Sequence, residues 1–272
     1  MGSTAIKMVA EEPNLKIYQP ELINTSQALS LLEDLKPDLF VVIAYGQILS
    51  QEILDIPKIF SINVHASILP QYRGAAPINW AIINGEKTTG ITVIKMVKGM
   101  DAGPIILQKE IEINEDDTAI ILEEKLSYLA AELLLTTLAS IEDNNYKLTP
   151  QNQDNITFAP KLKKEDGRIK WNIPAQEIRN LIRGCISWPG AFTYYNGKLL
   201  KIYKAKVFPS THLLAFPSPG EIIDVSKEGI TVVTGKDNLI IEELQIEGKR
   251  RMKAEEFIAG HKICIGEIFN KK

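Results

Sequence analysis

The feature that most constrains the fold is a change of pattern at residues 143–163, a polar, Pro-containing stretch between two differently built halves. Before it, strand-like and helical segments alternate. Leu39-Phe40-Val41-Val42-Ile43-Ala44 is a continuous apolar run ending at the turn Tyr45-Gly46-Gln47, as expected of a parallel strand covered on both faces. Ahead of it, Ala28, Leu29, Leu31, Leu32 and Leu35 have helical spacing. That helix is predicted to start at a capping box in Asn24-Thr25-Ser26-Gln27 and to stop at Lys36-Pro37. A short helix is predicted within residues 1–13 and a strand over Leu15–Tyr18. Downstream, a strand over Ile59–Val64 leads to a helix over Ala75–Asn84. The stretches Thr88–Val97 and Ile105–Ile113 read as an antiparallel hairpin on the sheet edge. A long helix then runs from a cap at Asp117-Thr118 to Ile141.

Past the break, a helix over Pro174–Gly184 precedes short β-runs at 191–195, 199–207, 221–225, 230–233 and 239–246, with a last helix at 254–259. Strands this short and this closely spaced predict a small barrel. The expected organisation is an α/β domain over 1–142, a linker over 143–163 and a small-barrel domain over 164–272. With 272 residues and 45% hydrophobic content, the chain can fill two cores.

The chain carries 31 Lys and Arg against 34 Asp and Glu, but residues 160–272 alone hold 20 basic and 13 acidic side chains. That asymmetry suggests an anionic partner for the second half; a solvated basic face is the plainer alternative. No apolar run is long enough to cross a membrane, and the N-terminal MGSTAIKMVAEEPN lacks a signal-peptide core. A cytoplasmic monomer is expected, with Cys185 and Cys264 as two buried thiols. His65, His212 and His261 are too scattered for a local zinc site, so no metal is expected.

Asn63 and His65 stand two apart in Ser61–Gly74, so an extended strand points both to one face. A strand that ends in a polar pair and turns toward a helix is how open α/β sheets build sites at strand carboxyl ends. Two donors aimed at one point suit a developing oxyanion, and Asp101 in GMDAGP supplies a carboxylate to hold His65 charged or to move a proton. The alternative is a polar pair that merely satisfies itself. There is no GxSxG, GxGxxG or P-loop, so the nucleophile is expected to arrive with a substrate. Lys249, Arg250, Arg251 and Lys253 form a cationic run that suits phosphate contacts, together with Lys201, Lys204 and Lys206. Trp188, Tyr194 and Tyr195 read as core residues, and His212 and His261 as surface or packing residues.

The segments SINVHASILPQYRGAAPINWAIINGE and TTGITVIKMVKGMDAGPIILQ resemble the folate-dependent formyltransferases. RGCISWPGAFTYYNGKLLKIYKA and EGKRRMKAEEFIAGHKI resemble the C-terminal domain of that family's methionyl-tRNA branch. The resemblance implies a partial Rossmann-like sheet with an OB-like second domain, and formyl transfer from 10-formyltetrahydrofolate to methionyl initiator tRNA. It implies Asn63, His65 and Asp101 as the catalytic trio. Val42, Ala44, Tyr45, Gly46, Ser67, Ile68, Leu69 and Pro70 are implied folate contacts. Arg73, Lys204, Lys206, Lys249, Arg250 and Arg251 are implied tRNA contacts.

Three departures from the family pattern stand out. The family's opening Rossmann βαβ unit has no counterpart here, so an exposed sheet edge is expected. Ile68 replaces a usual Leu. Lys253 stands where a capping Ser is common, which predicts a weaker helix start. Two rivals follow: a weakly active tRNA-binding remnant, and a formyltransferase for another amine such as a sugar nucleotide. The Trp188-Pro189-Gly190 and 249–253 segments speak against the second rival.

Overall fold

The computed structural model describes residues 5–13, 15–210 and 217–269. In the first half, the elements are α1 (Ala5–Glu11), α2 (Ser26–Asp34), β1 (Leu39–Val42), α3 (Gln51–Leu54) and β2 (Phe60–His65). They are followed by α4 (Pro77–Ile83), β3 (Thr88–Lys95), β4 (Ile105–Glu112) and α5 (Ala119–Glu142). The strands form one sheet in the order β1-β2-β3-β4. β1 and β2 are parallel, while β3 returns antiparallel to β2 and makes a hairpin with β4. The sheet is therefore mixed, with its parallel character confined to β1–β2.

Local chemistry accounts for most of these elements. Thr25 Oγ1 accepts the Ala28 N–H at 3.2 Å and starts α2. The neighbouring Asn24 faces outward instead, donating to Ile48 O and accepting from Ser50 N–H. The cap is thus one residue later than in the predicted Asn24–Gln27 box, and Gln47 Oε1 accepts the Ile23 N–H. Thr118 caps α5, which buries Leu122, Leu126, Leu129 and Leu133 at three- and four-residue spacing, with Ile141 eight residues further on the same face. These pack on Ile62, Val64, Ile91 and Val93, and burying each such aliphatic side chain stabilises the fold by roughly 1.5–3 kcal/mol.

Two expectations fail here. Leu15–Tyr18 contains no strand. β1 is not covered on both faces: it lies at the end of the sheet, and Val41 is 41% exposed. A cleft of about 510 Å³ opens beside it, walled by Ile23, Leu31, Leu32, Phe40 and Val41.

In the second half, 3₁₀ turns at Gln153–Asn155 and Lys164–Gly167 lead into α6 (Ala175–Gly184). Then come β5 (Ala191–Tyr195), β6 (Lys198–Phe208), β7 (Ile222–Ser226), β8 (Gly229–Val233), β9 (Asn238–Ile246), β10 (Met252–Lys253) and α7 (Ala254–Gly260). They form a single antiparallel sheet in the order β5-β6-β9-β8-β7, with β10 added to β9. Register shifts in β6 near Lys204 and in β7 near Asp224 bend it around one core. Ile178, Leu200, Ile202, Leu239, Ile241 and Phe257 are the centre of that core. Lys253 precedes α7 without a side-chain cap, as predicted. Tyr195 is buried as expected, but Trp188 is 57% exposed, its indole N–H donating to Leu162 O. Cys185 is buried as expected, which pushes its thiol up to about 12, but Cys264, also expected to be buried, is exposed in the segment after α7.

The halves meet along α4 and α6. A side chain at Gly184 would meet Ile83 Cγ1 at 2.6 Å, so glycine permits the close approach. Asn79 Nδ2 donates to Gly184 O, and the buried Arg183 donates through Nη1 to Asn114 O and Asp117 O. Burial holds the Arg183 guanidinium below its ordinary pKa, and Arg179 adds to the effect.

Candidate active site

β2 alternates two faces. Phe60, Ile62 and Val64 join the first core, while Ser61, Asn63 and His65 face the other way. β1 runs parallel to β2 with Val42 opposite Asn63, so both strands end on the same side of the sheet. The β3–β4 connection brings Asp101 back to that side. Asn63 Nδ2 donates to Asp101 Oδ1 at 3.3 Å, and His65 Nδ1 lies 3.6 Å from the same oxygen. The second carboxylate oxygen accepts the Gly74 N–H at 2.9 Å. The predicted trio thus converges on one carboxylate, whose side chain is 14% exposed beside a His65 that is 6% exposed.

Nε2 of His65 lies 2.9 Å from Tyr72 O. A carbonyl only accepts, so Nε2 carries a hydrogen there. The contact from Nδ1 to Asp101 exceeds hydrogen-bond length and becomes an ion pair when the ring is protonated. Asp101 itself is left-handed, with φ +49°, as is Tyr72 with φ +60°. The Tyr72 phenol donates to Glu86 at 2.6 Å, and burial followed by that carboxylate raises it to about 12.

The loop after β2 is internally tied. Thr92 Oγ1 donates to Ser67 O at 2.6 Å and accepts the Leu69 N–H and one Gln108 N–H. Ser67 and Leu69 are buried, and the Leu69–Pro70 peptide is cis. Among the predicted folate contacts, Val42 and Tyr45 line the cleft beside β1. Ala44, Gly46, Ser67, Ile68, Leu69 and Pro70 are not part of that wall. Ala44 and Gly46 form the turn that leaves β1, both at positive φ.

Arg73 is not on the surface. It is 7% exposed, and its Nε and Nη2 both donate to Gln151 Oε1, at 3.1 and 2.7 Å. Lys204, Lys206, Arg250 and Arg251 face Glu242, Glu228, Glu256 and Glu243 respectively. Arg251 also stacks over the Tyr203 ring, 4.6 Å from its centroid. Lys249 sits in the exposed turn before β10, its N–H donating to Ile246 O. The hydrogen bond from Arg250 holds the Glu256 carboxyl below its usual range. His261 stacks on Phe257 at 4.2 Å, a packing role, and His212 lies outside the described residues. Among the described residues, no group of His, Cys, Asp and Glu is placed to hold a metal, and no helix is long and apolar enough to cross a membrane.

Sequence reasoning missed the linker. Gln151, Thr157 and Ala159 reach the site across long sequence separations and carry no motif that announces it.

The α/β sheet thus gathers an amide and an imidazole at the end of β2 and a carboxylate from the β3–β4 connection, and is joined to a second, antiparallel domain. The model described as formyl transferase matches residues 3–138 and that of the formyl transferase C-terminal domain matches 161–262, so the chain belongs to the formyl transferase family. Within the family it is similar to proteins named methionyl-tRNA formyltransferase. It is 47% identical to that of Alkaliphilus oremlandii over 271 residues, covering 100% of this chain and 86% of the relative. It is 44% identical to that of Clostridioides difficile, covering 98% of this chain and 86% of the relative. In fold it is similar to WlaRD, a sugar 3N-formyl transferase, with a TM-score of 0.64 at 22% identity over 89% of this chain and 81% of that one. It is also similar in fold to HypX from Aquifex aeolicus in complex with tetrahydrofolic acid, with a TM-score of 0.62 at 20% identity over 88% and 44%.

Proposed function

We propose that this chain transfers a formyl group from 10-formyltetrahydrofolate to the α-amino group of methionyl initiator tRNA, in the cytoplasm. The observation that carries the reading is the placement of Asp101 Oδ1 between Asn63 Nδ2 at 3.3 Å and His65 Nδ1 at 3.6 Å. The amine of the methionyl group attacks the formyl carbon; a C–N bond forms and the carbonyl electron pair moves to oxygen. Asn63 has a second amide N–H beyond the one given to Asp101, and His65, whose Nε2–H is held by Tyr72 O, adds a second donor to that oxyanion when its Nδ1 is protonated. Collapse breaks the bond to the folate nitrogen. The proton shed by the attacking amine passes through Asp101, directly or through a water, to that nitrogen.

The loops at 42–46 and 67–70 hold the folate from the two sides of β2. Lys204, Lys206, Lys249, Arg250 and Arg251 contact tRNA phosphates on the second domain. Arg73 serves the site from beneath. Identity of 42–48% to proteins named for methionyl-tRNA, against 22% to a sugar formyl transferase, supports the tRNA over an amino sugar.

The test is formylation of charged initiator tRNA with 10-formyltetrahydrofolate as donor, with formyl-methionine release as the readout. Transfer to an amino-sugar nucleotide but not to charged tRNA overturns the reading.

A further inference from the structure

Gln151 lies in the stretch between the domains and is 6% exposed. One hydrogen of its Nε2 goes to Asp101 O and the other to Gly103 O, each at 2.7 Å. Its Oε1 accepts both Arg73 N–H groups described above. Every polar valence of this amide toward the site is spent on two loops, the one that carries Asp101 and the one that follows His65. The same stretch of chain continues the lacing. Tyr72 N–H donates to Thr157 Oγ1, Arg73 N–H to Thr157 O and Ala159 N–H to Arg73 O. Asp101 has a left-handed backbone, which persists only where the surroundings over-determine it. Its carboxylate is aimed by that backbone, and the bond that pins the Asp101 carbonyl comes from Gln151.

We infer that Gln151 is a positioning residue for the reaction: its carboxamide sets where the Asp101 carboxylate stands relative to Asn63, His65 and the Gly74 N–H. It touches no reacting atom. The kinetic part of the inference rests on the formyl-transfer reading; the geometric part does not.

Two variants separate the possibilities. Gln151→Met keeps the length and removes every polar contact. Gln151→Glu keeps an oxygen for Arg73 and turns the two N–H donors into an acceptor facing the Asp101 and Gly103 carbonyls, so it breaks the contacts to the Asp101 loop while keeping the one to Arg73. The direct readout is hydrogen exchange at the Gly74 amide, which reports its bond to Asp101 Oδ2 without any substrate. Exchange there is expected to rise at least about 10-fold in both variants, with Val93 in the central strand unchanged. In the formylation assay, kcat is expected to fall about 10- to 100-fold, the range typical when a supporting partner of a reactive group is lost, with KM for charged tRNA unaltered. Wild-type exchange at Gly74 in Gln151→Glu overturns the inference, as does equal acceleration at Gly74 and Val93, which would make Gln151 a general packing residue. If the parent chain transfers no formyl group, the functional reading fails, and the Gly74 amide still decides whether Gln151 positions Asp101.

Discussion

The two domains handle charge in opposite ways. At the strand ends of the first, one nearly buried carboxylate is shared by an amide, an imidazole and a backbone N–H. On the second, four cations are each set against a carboxylate at the surface, Lys206 and Arg250 against exposed ones and Lys204 and Arg251 against half-buried ones. Exposed pairs of this kind are worth about 0–1 kcal/mol, so an incoming phosphate displaces their partners cheaply. A buried carboxylate stripped of its partners costs several times more. The first arrangement suits a group that must stay fixed, and the second suits a surface that exchanges one anion for another.

The sharpest way to break this contrast is Asp101→Ala. It is expected to lower kcat by about 10²–10³, with single-turnover formylation as the measurement, and to cost about 1–3 kcal/mol of stability because the Asn63 and Gly74 donors lose their acceptor. Gly74→Ala comes next. Its Cβ would meet Ala159 O at 2.6 Å at a φ of +126°, so a loss of about 1–3 kcal/mol is expected in urea unfolding.

Alkaline titration compares the domains directly. Tyr72 in the first and Tyr195 in the second are both raised from 10.0 to about 12 by burial, then by Glu86 and Glu267 respectively. Each phenol therefore adds stability that is fully present below pH 10 and disappears as pH climbs through 12. Tyr72→Phe and Tyr195→Phe should each flatten part of that alkaline limb, by about 1–3 kcal/mol, when unfolding is followed against pH. On the basic surface, Lys249→Ala and Arg250→Ala should each reduce the salt dependence of tRNA binding by about one phosphate contact, measured by titration across salt concentrations. The smallest effect is expected for Lys253→Ser. A hydroxyl at the start of α7 should stabilise the second domain by about 0.5–1 kcal/mol, read from its thermal midpoint.

Much of this was legible where the signal is local. The Thr118 cap follows from a hydroxyl placed just ahead of an apolar run, and the leucine spacing of α5 and the same-face placement of Asn63 and His65 follow from periods of 3.6 and 2. The hairpin that returns Asp101 also follows from its flanking strands. What failed to show was set by distant neighbours. Arg73 reads as a surface cation, but its partner Gln151 is 78 positions away, and nothing in the composition of the linker marks it as part of a site. The apolar run of β1 promised cover on both faces, yet a continuous run reports only what the strand can bury, and Val41 remains open. Trp188 looked like core by its size, and its indole N–H instead finds a carbonyl at the surface. β10 is two residues long, too short to leave a periodicity.

The stretch from Thr149 to Ala159 returns across the first domain, pairing Thr149 with Ile105 and Phe158 with Arg73. Anyone dividing the gene should place the cut beyond it. A fragment ending at Glu142 would keep its leucine-packed helix and its sheet but surrender the brace behind the Asp101 carboxylate. Carrying the first piece on through Pro160 keeps that brace with the half it serves.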